Sequence, residues 1–164
     1  ALCRRRRVLP ALDRLAALFT QKRHAEMESA AQLLTMRYPH SGEAWKALGS
    51  ARLFTAGGDA VEPLRLATRR LPADAALHAN LGGALLAQQR FAEAETALRR
   101  AVELDPGFAE ARSNLGLALT ALGRLDEAIA QYRELLLIQP GHEPARRNLE
   151  LLLAGADPFR ASGP

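Results

Sequence analysis

Apolar positions recur along this chain at intervals of three and four, the spacing of a helix with one buried stripe. The stripes are clearest in "LGGALLA" at 81–87 and "LGLALTAL" at 115–122. A short break follows each of them, at Gln89-Arg90 and Gly123-Arg124, and a similar one falls upstream at Gly57-Gly58. A second stripe then runs on to a proline, which is Pro39, Pro72, Pro106 or Pro140. Proline has no amide proton and drives the residue before it out of the α region, so each is predicted to end a helix. The pattern therefore predicts helix pairs, each closed by its own proline.

The pairs repeat with a stride of 33 to 34 residues. "NLG" at 80–82 returns at 114–116 and again as "NLE" at 148–150. "FAEAETAL" at 91–98 aligns with "LDEAIAQY" at 125–132, and "LDPG" at 104–107 with "IQPG" at 138–141. "WKALG" (45–49) and "DAVEPLRLATRRLP" (59–72) form a copy one residue shorter, and "AEMESAAQLLTMRYP" (25–39) is the second half of a still earlier one. The predicted units are about 11–40, 41–73, 74–107 and 108–141, followed by a single capping helix at 142–154. Residues 1–10 are set apart as a basic, flexible N-terminus and 155–164 as a linker-like tail. A single unit cannot bury its own apolar face, so stacking neighbours must do it. Small residues should mark the close approaches, Gly49 with Ala60, Gly82 with Ala94 and Gly116 with Ala128.

On these residues the chain resembles the tetratricopeptide repeat family over roughly residues 12 to 154. The third unit has Leu81, Gly82, Ala94, Leu98, Ala101 and Pro106 at the family's places. The fourth has Leu115, Gly116, Ala128, Tyr132, Leu135 and Pro140, and the second Trp45, Leu48, Gly49, Ala60, Leu64, Ala67 and Pro72. The first unit departs most, with Leu15 in the glycine place and Met27 in the alanine place. The resemblance implies an all-α fold, a right-handed α-solenoid of about four helix pairs plus a C-terminal capping helix.

Composition supports the helical reading. Apolar residues make up 48% and aromatics only 5%, a balance that favours Ala- and Leu-rich helices over sheets. The net charge of +4 is carried by Arg4 to Arg7, since the other residues hold 18 basic side chains (22 − 4) against 18 acidic ones. A neutral body with one basic tip argues against a specific nucleic-acid surface. The single cysteine, Cys3, allows no internal disulfide. No apolar run reaches the length of a membrane span, and "VLPALDRLAALF" is interrupted by Asp13 and Arg14, unlike a signal peptide. The expected compartment is the cytoplasm.

The chain contains no H-E-x-x-H, no phosphate loop and no dinucleotide fingerprint, and "AGGD" at 56–59 falls at a turn. His24, His40, His78 and His142 lie apart at repeat edges without metal-ligand spacing. His78 takes the place that Trp45 holds one unit earlier, which favours packing over ligation. Glu93, Glu95, Asp126 and Glu127 stand among arginines on second helices, as solvated ion pairs do. The expectation is a non-enzyme with no catalytic residue, metal or cofactor.

The expected partner is a protein or peptide. Stacked helix pairs line a concave wall with their first helices. Asn80, Asn114 and Asn148 precede the Leu-Gly or Leu-Glu pair in three successive units, and Ala47 does so in the second. A side-chain amide both donates and accepts, so a row of them can pair with an extended backbone whatever its side chains. The row resembles the asparagine ladder of O-linked N-acetylglucosamine transferases; the alternative is that asparagine bonds across the repeat interface. Lys46, Ser50, Ser113 and Arg147 should flank the row, with Ala79, Gly83, Leu117 and Leu151. The family's carboxylate clamp is unsupported, because Ser50 stands where Asn should be and Glu110 and Asn114 replace the later basic pair.

The sequence supports two other readings. The early sequence, "LAALFTQKRHAEMESAAQLLTMRYPHSGEAWKALG", resembles the N-terminal repeats of bacterial proteins that continue into glycosyltransferase or sulfotransferase domains, which would make this a recognition part of a larger enzyme. The apolar "LELLL" at 149–153 could instead pair with its copy in a homo-oligomer.

Overall fold

The computed structural model describes residues 2–55 and 58–155, with side chains from Pro10 onward. Helices account for the order of the described elements: α1 (Leu2–Thr20), α2 (His24–Arg37), α3 (Gly42–Phe54), α4 (Val61–Arg70), α5 (Ala75–Ala87), α6 (Phe91–Leu104), α7 (Ala109–Ala121), α8 (Leu125–Ile138) and α9 (Glu143–Leu153). The chain falls into two compact units, Ala1–Leu81 and Gly82–Pro164, divided within α5. In the first, α2 packs on α1 and α3, and α3 on α4; in the second, α7 packs between α6 and α8, and α8 on α9.

The basic N-terminal segment is helical backbone from Leu2, with Pro10 inside α1. Arginine and leucine are strong helix formers, and one interior proline removes a single backbone donor. Of the foreseen turn at Gly57-Gly58, Gly57 lies outside the described residues, as do 156–164 of the tail.

Second helices end as the prolines require. The residue before each proline leaves the α region at Tyr38 (φ −133°, ψ 64°), Leu71 (−128°, 63°), Asp105 (−139°, 93°) and Gln139 (−135°, 83°). First helices end differently. Lys22 (φ 57°), Gln89 (φ 58°) and Gly123 (φ 74°) each take the left-handed conformation. The next amide then reaches back five residues, Arg23 to Leu18, Arg90 to Leu85 and Arg124 to Leu119, each at 2.9 Å. These bonds satisfy carbonyls that the helix end would otherwise orphan.

The core follows the apolar stripes. In the first unit Leu15, Leu18, Met27, Leu34 and Leu48 are buried, with Trp45 and Tyr38 packed against them. In the second, Leu98, Leu115, Leu119, Tyr132 and Leu135 are fully buried. Each such leucine contributes about 1.5–3 kcal/mol relative to exposure.

The glycine seam differs from the expected Gly–Ala pairing. A Cβ on Gly49 would meet Leu64 at 2.6 Å, one on Gly116 would meet Tyr132 Cζ at 2.6 Å, and one on Gly82 would collide with Leu98. Each glycine thus admits a large side chain of the facing helix rather than an alanine. Ala60, Ala94 and Ala128 are buried all the same. In α9 the equivalent place is taken by Glu150, which is exposed.

Every link between repeats carries one further bond. Trp45 Nε1 donates to the Pro39 carbonyl at 2.8 Å, Arg112 Nη2 to that of Pro106 at 2.8 Å and Arg146 Nη2 to that of Pro140 at 2.7 Å. His78 Nε2 lies 3.1 Å from the Pro72 carbonyl, which it bonds in the tautomer protonated at that nitrogen. The proline carbonyl just past the helix has no backbone partner, and the side chain six residues on supplies one. Three chemically unlike residues share the place because each offers an N–H there.

Candidate functional site

In the first unit the foreseen site residues sit on α3 and α5. Ser41 caps α3 by accepting from the Ala44 amide at 3.3 Å. Asp74 caps α5 by accepting from the Leu77 amide at 3.1 Å. The other oxygen of Asp74 accepts from Lys46 Nζ at 2.6 Å. Burial pushes the Asp74 carboxyl up, but Lys46 and the Leu77 amide outweigh it and hold the group below its ordinary range. Lys46 is therefore a matched charge, not a free cation for a partner. Ser50 is half-buried one turn further along α3, and Ala47 lies buried beside it. On α5, Ala79 is buried and Asn80 half-buried.

In the second unit the foreseen residues sit on α7 and α9. Ser113 and Asn114 are half-buried on α7, as are Asn148 on α9 and Leu117 and Leu151. Arg147 is exposed. The space in front of Gly83 is open except for Asn114 Nδ2, 4.0 Å from where a Cβ would stand. Asn80 and Asn114 form no side-chain hydrogen bond among the described residues. Asn148 does: its Nδ2 donates to the Tyr132 hydroxyl at 3.2 Å.

Two other clusters lie away from these residues, the first where ion pairs at Glu95 and Glu127 are expected. Glu95 Oε1 accepts from Arg99 Nε at 2.5 Å and Arg124 Nη1 at 3.0 Å, while Glu127 Oε2 accepts from Arg99 Nη2 at 2.8 Å and Arg124 Nη2 at 2.7 Å. This closed ring ties α6 to α8 and its preceding turn. Arg99 above all holds the Glu95 carboxyl below its ordinary range, and Arg124 then Arg99 do so for Glu127. The sequence signal is Arg at the turn with Glu three residues on, which recurs in Arg23–Glu26 and Arg90–Glu93. In the first unit, the Phe54 ring packs edge-on to Phe19 (5.3 Å between centroids) and stacks on His24 (5.2 Å), with both phenylalanines about half exposed. Nothing in the periodicity separates those aromatics from core positions.

Among the described residues no three His, Cys, Asp or Glu side chains converge as a metal site requires. None of the described helices is long and apolar enough to cross a membrane.

Helix pairs closed by proline, glycine under a large facing side chain, and an inter-repeat bond at each proline define an all-α helical repeat protein. The chain belongs to the tetratricopeptide repeat family, whose family model matches residues 58–107 and 80–143, together more than half of its length. A crystal structure of MamA protein is similar with a TM-score of 0.83 and 25% identity, over 90% of this chain and 81% of that one. YrrB, described as a TPR protein with an unusual peptide-binding site, gives 0.81 at 23% identity, over 90% and 77%. The first TPR of Spaghetti (RPAP3), bound to the HSP90 peptide SRMEEVD, gives 0.58 at 22%, over 79% and 93%. No curated protein matches the sequence.

Proposed function

We propose that the chain is a protein-interaction module that holds an extended peptide or protein segment on the exposed faces of its first helices. The observation that carries this reading is the asparagine placed alike in α5 and α7. The Asn80 and Asn114 amides are half-buried on helices and form no side-chain hydrogen bond within the described chain. Each can donate to and accept from a peptide group, which reads a backbone irrespective of its side chains. Ser50 and Ser113 flank them with further hydroxyl groups. Lys46 is matched by Asp74, so an acidic chain terminus is not the favoured ligand. Peptide binding by YrrB and by the RPAP3 repeat is consistent with such a use of the fold. The test is capture of partners from the native host by the native chain and by the Asn80→Ala/Asn114→Ala variant. The variant should lose partner capture and keep its helical circular dichroism; undiminished capture refutes the reading.

A second reading, self-association through α9, is favoured by Leu153, which is 58% exposed one turn beyond half-buried Leu149. Sedimentation that shows a monomer at every concentration would exclude it.

A further inference from the structure

The three asparagines share one place in the repeat, but only one of them follows a tyrosine at the matching place of the helix before it. Sixteen residues ahead of Asn148 stands Tyr132; the same offset leads to Leu98 from Asn114 and to Leu64 from Asn80. Only the tyrosine carries a hydroxyl. Its ring is fully buried and rests against Gly116, so the phenol cannot swing away to water. Its hydroxyl meets the Asn148 amide at 3.2 Å.

A partner that drew Asn148 Nδ2 away would cost the buried Tyr132 hydroxyl this hydrogen bond. No such cost attends Asn114, whose Nδ2 borders the open space in front of Gly83. α9 also lacks the glycine that α3, α5 and α7 carry, with Glu150 in its place. We infer that Tyr132 takes Asn148 out of the partner-reading set, so that α7 reads the partner in the second unit while α9 closes that unit. Tyr132 acts as a positioning residue, and the inference rests on the peptide-binding reading of Asn114.

The experiment uses the full chain and has two arms. In the first, exchange of the asparagine side-chain amide protons is followed by NMR. The Asn148 amide should exchange about tenfold more slowly than that of Asn114, the factor an ordinary hydrogen bond supplies. Tyr132→Phe should remove the difference while the backbone spectrum stays folded. Equal exchange in the native chain overturns the inference. In the second arm, the probe is a dodecapeptide selected by phage display on the native chain. Asn114→Ala should weaken its binding about tenfold, and Asn148→Ala should leave it within about twofold while lowering the unfolding midpoint. Equal weakening by both variants overturns the inference. A protected Asn148 amide, with neither variant affecting the peptide, would uphold the Tyr132–Asn148 coupling and refute the peptide-binding reading.

Discussion

Gly116→Ala tests whether the seam glycines exist to admit a side chain. An alanine inside a helix is favoured over glycine by about 1 kcal/mol, so propensity alone predicts a more stable protein. The added methyl would stand 2.6 Å from Tyr132 Cζ and 2.7 Å from Cε1. That ring is fully buried and held at its hydroxyl by Asn148, so it cannot retreat as a flexible chain end would. Overpacking of this kind costs about 1–3 kcal/mol, and a rigid ring places it at the upper end. The net expectation is a loss of about 2 kcal/mol, or about 4–8 °C in Tm for a chain of this size. Gly83→Ala is the matched control. It lies one residue along the equivalent helix of the preceding repeat, and its methyl would meet only Asn114 Nδ2 at 4.0 Å. It should gain about 0.5–1 kcal/mol. Urea unfolding followed by circular dichroism measures both, and amide hydrogen exchange in α7 and α8 localises the change, since repeat arrays open regionally. A Gly116→Ala protein as stable as the native one would refute the steric account of the seam.

Three further outcomes are expected. Gln89→Gly should stabilise the chain by about 0.5–1 kcal/mol in thermal unfolding, because Gln89 holds a positive φ that glycine adopts freely. Arg112→Ala should cost about 2–3 kcal/mol by losing bonds to the Pro106 carbonyl and Gln131, and Arg112→Trp should recover part of that loss in the same assay by restoring the donor that Trp45 provides. The carboxyls of Asp74, Glu95 and Glu127 have folded-state pKa values below their unfolded ones, so their stabilisation is present above the ordinary carboxylate range and is lost as pH falls through the lower folded values. A pH series of unfolding midpoints should thus fall below about pH 4, and less steeply in Asp74→Asn, whose midpoint at neutral pH should already be lower.

Much of the fold was legible because its causes are local. Proline acts on the residue before it, and a three-and-four stripe needs only one helix, so the stride, the helix pairs and the ends of the second helices followed from the letters alone. The positive-φ turn was half legible: Gly123 announces it, whereas Lys22 and Gln89 adopt the same conformation without a glycine to mark it. The donors to the proline carbonyls were within reach of the sequence, since each spans six residues, but Trp, His and Arg look unrelated until their N–H groups are seen to do one task.

What the sequence by itself determined is the repeat: which residues form first and second helices, where the second helices end, and that the asparagines fall at one place in three successive copies. Only the tertiary structure decided what those residues touch. Gly116 faces Tyr132 sixteen residues away rather than Ala128, Lys46 is paired with Asp74 twenty-eight residues away, and Asn148 is bonded to the Tyr132 hydroxyl. The physical reason is that periodicity fixes the face a side chain takes, while the angle and offset at which two helices meet select its neighbour, and no single helix encodes that offset.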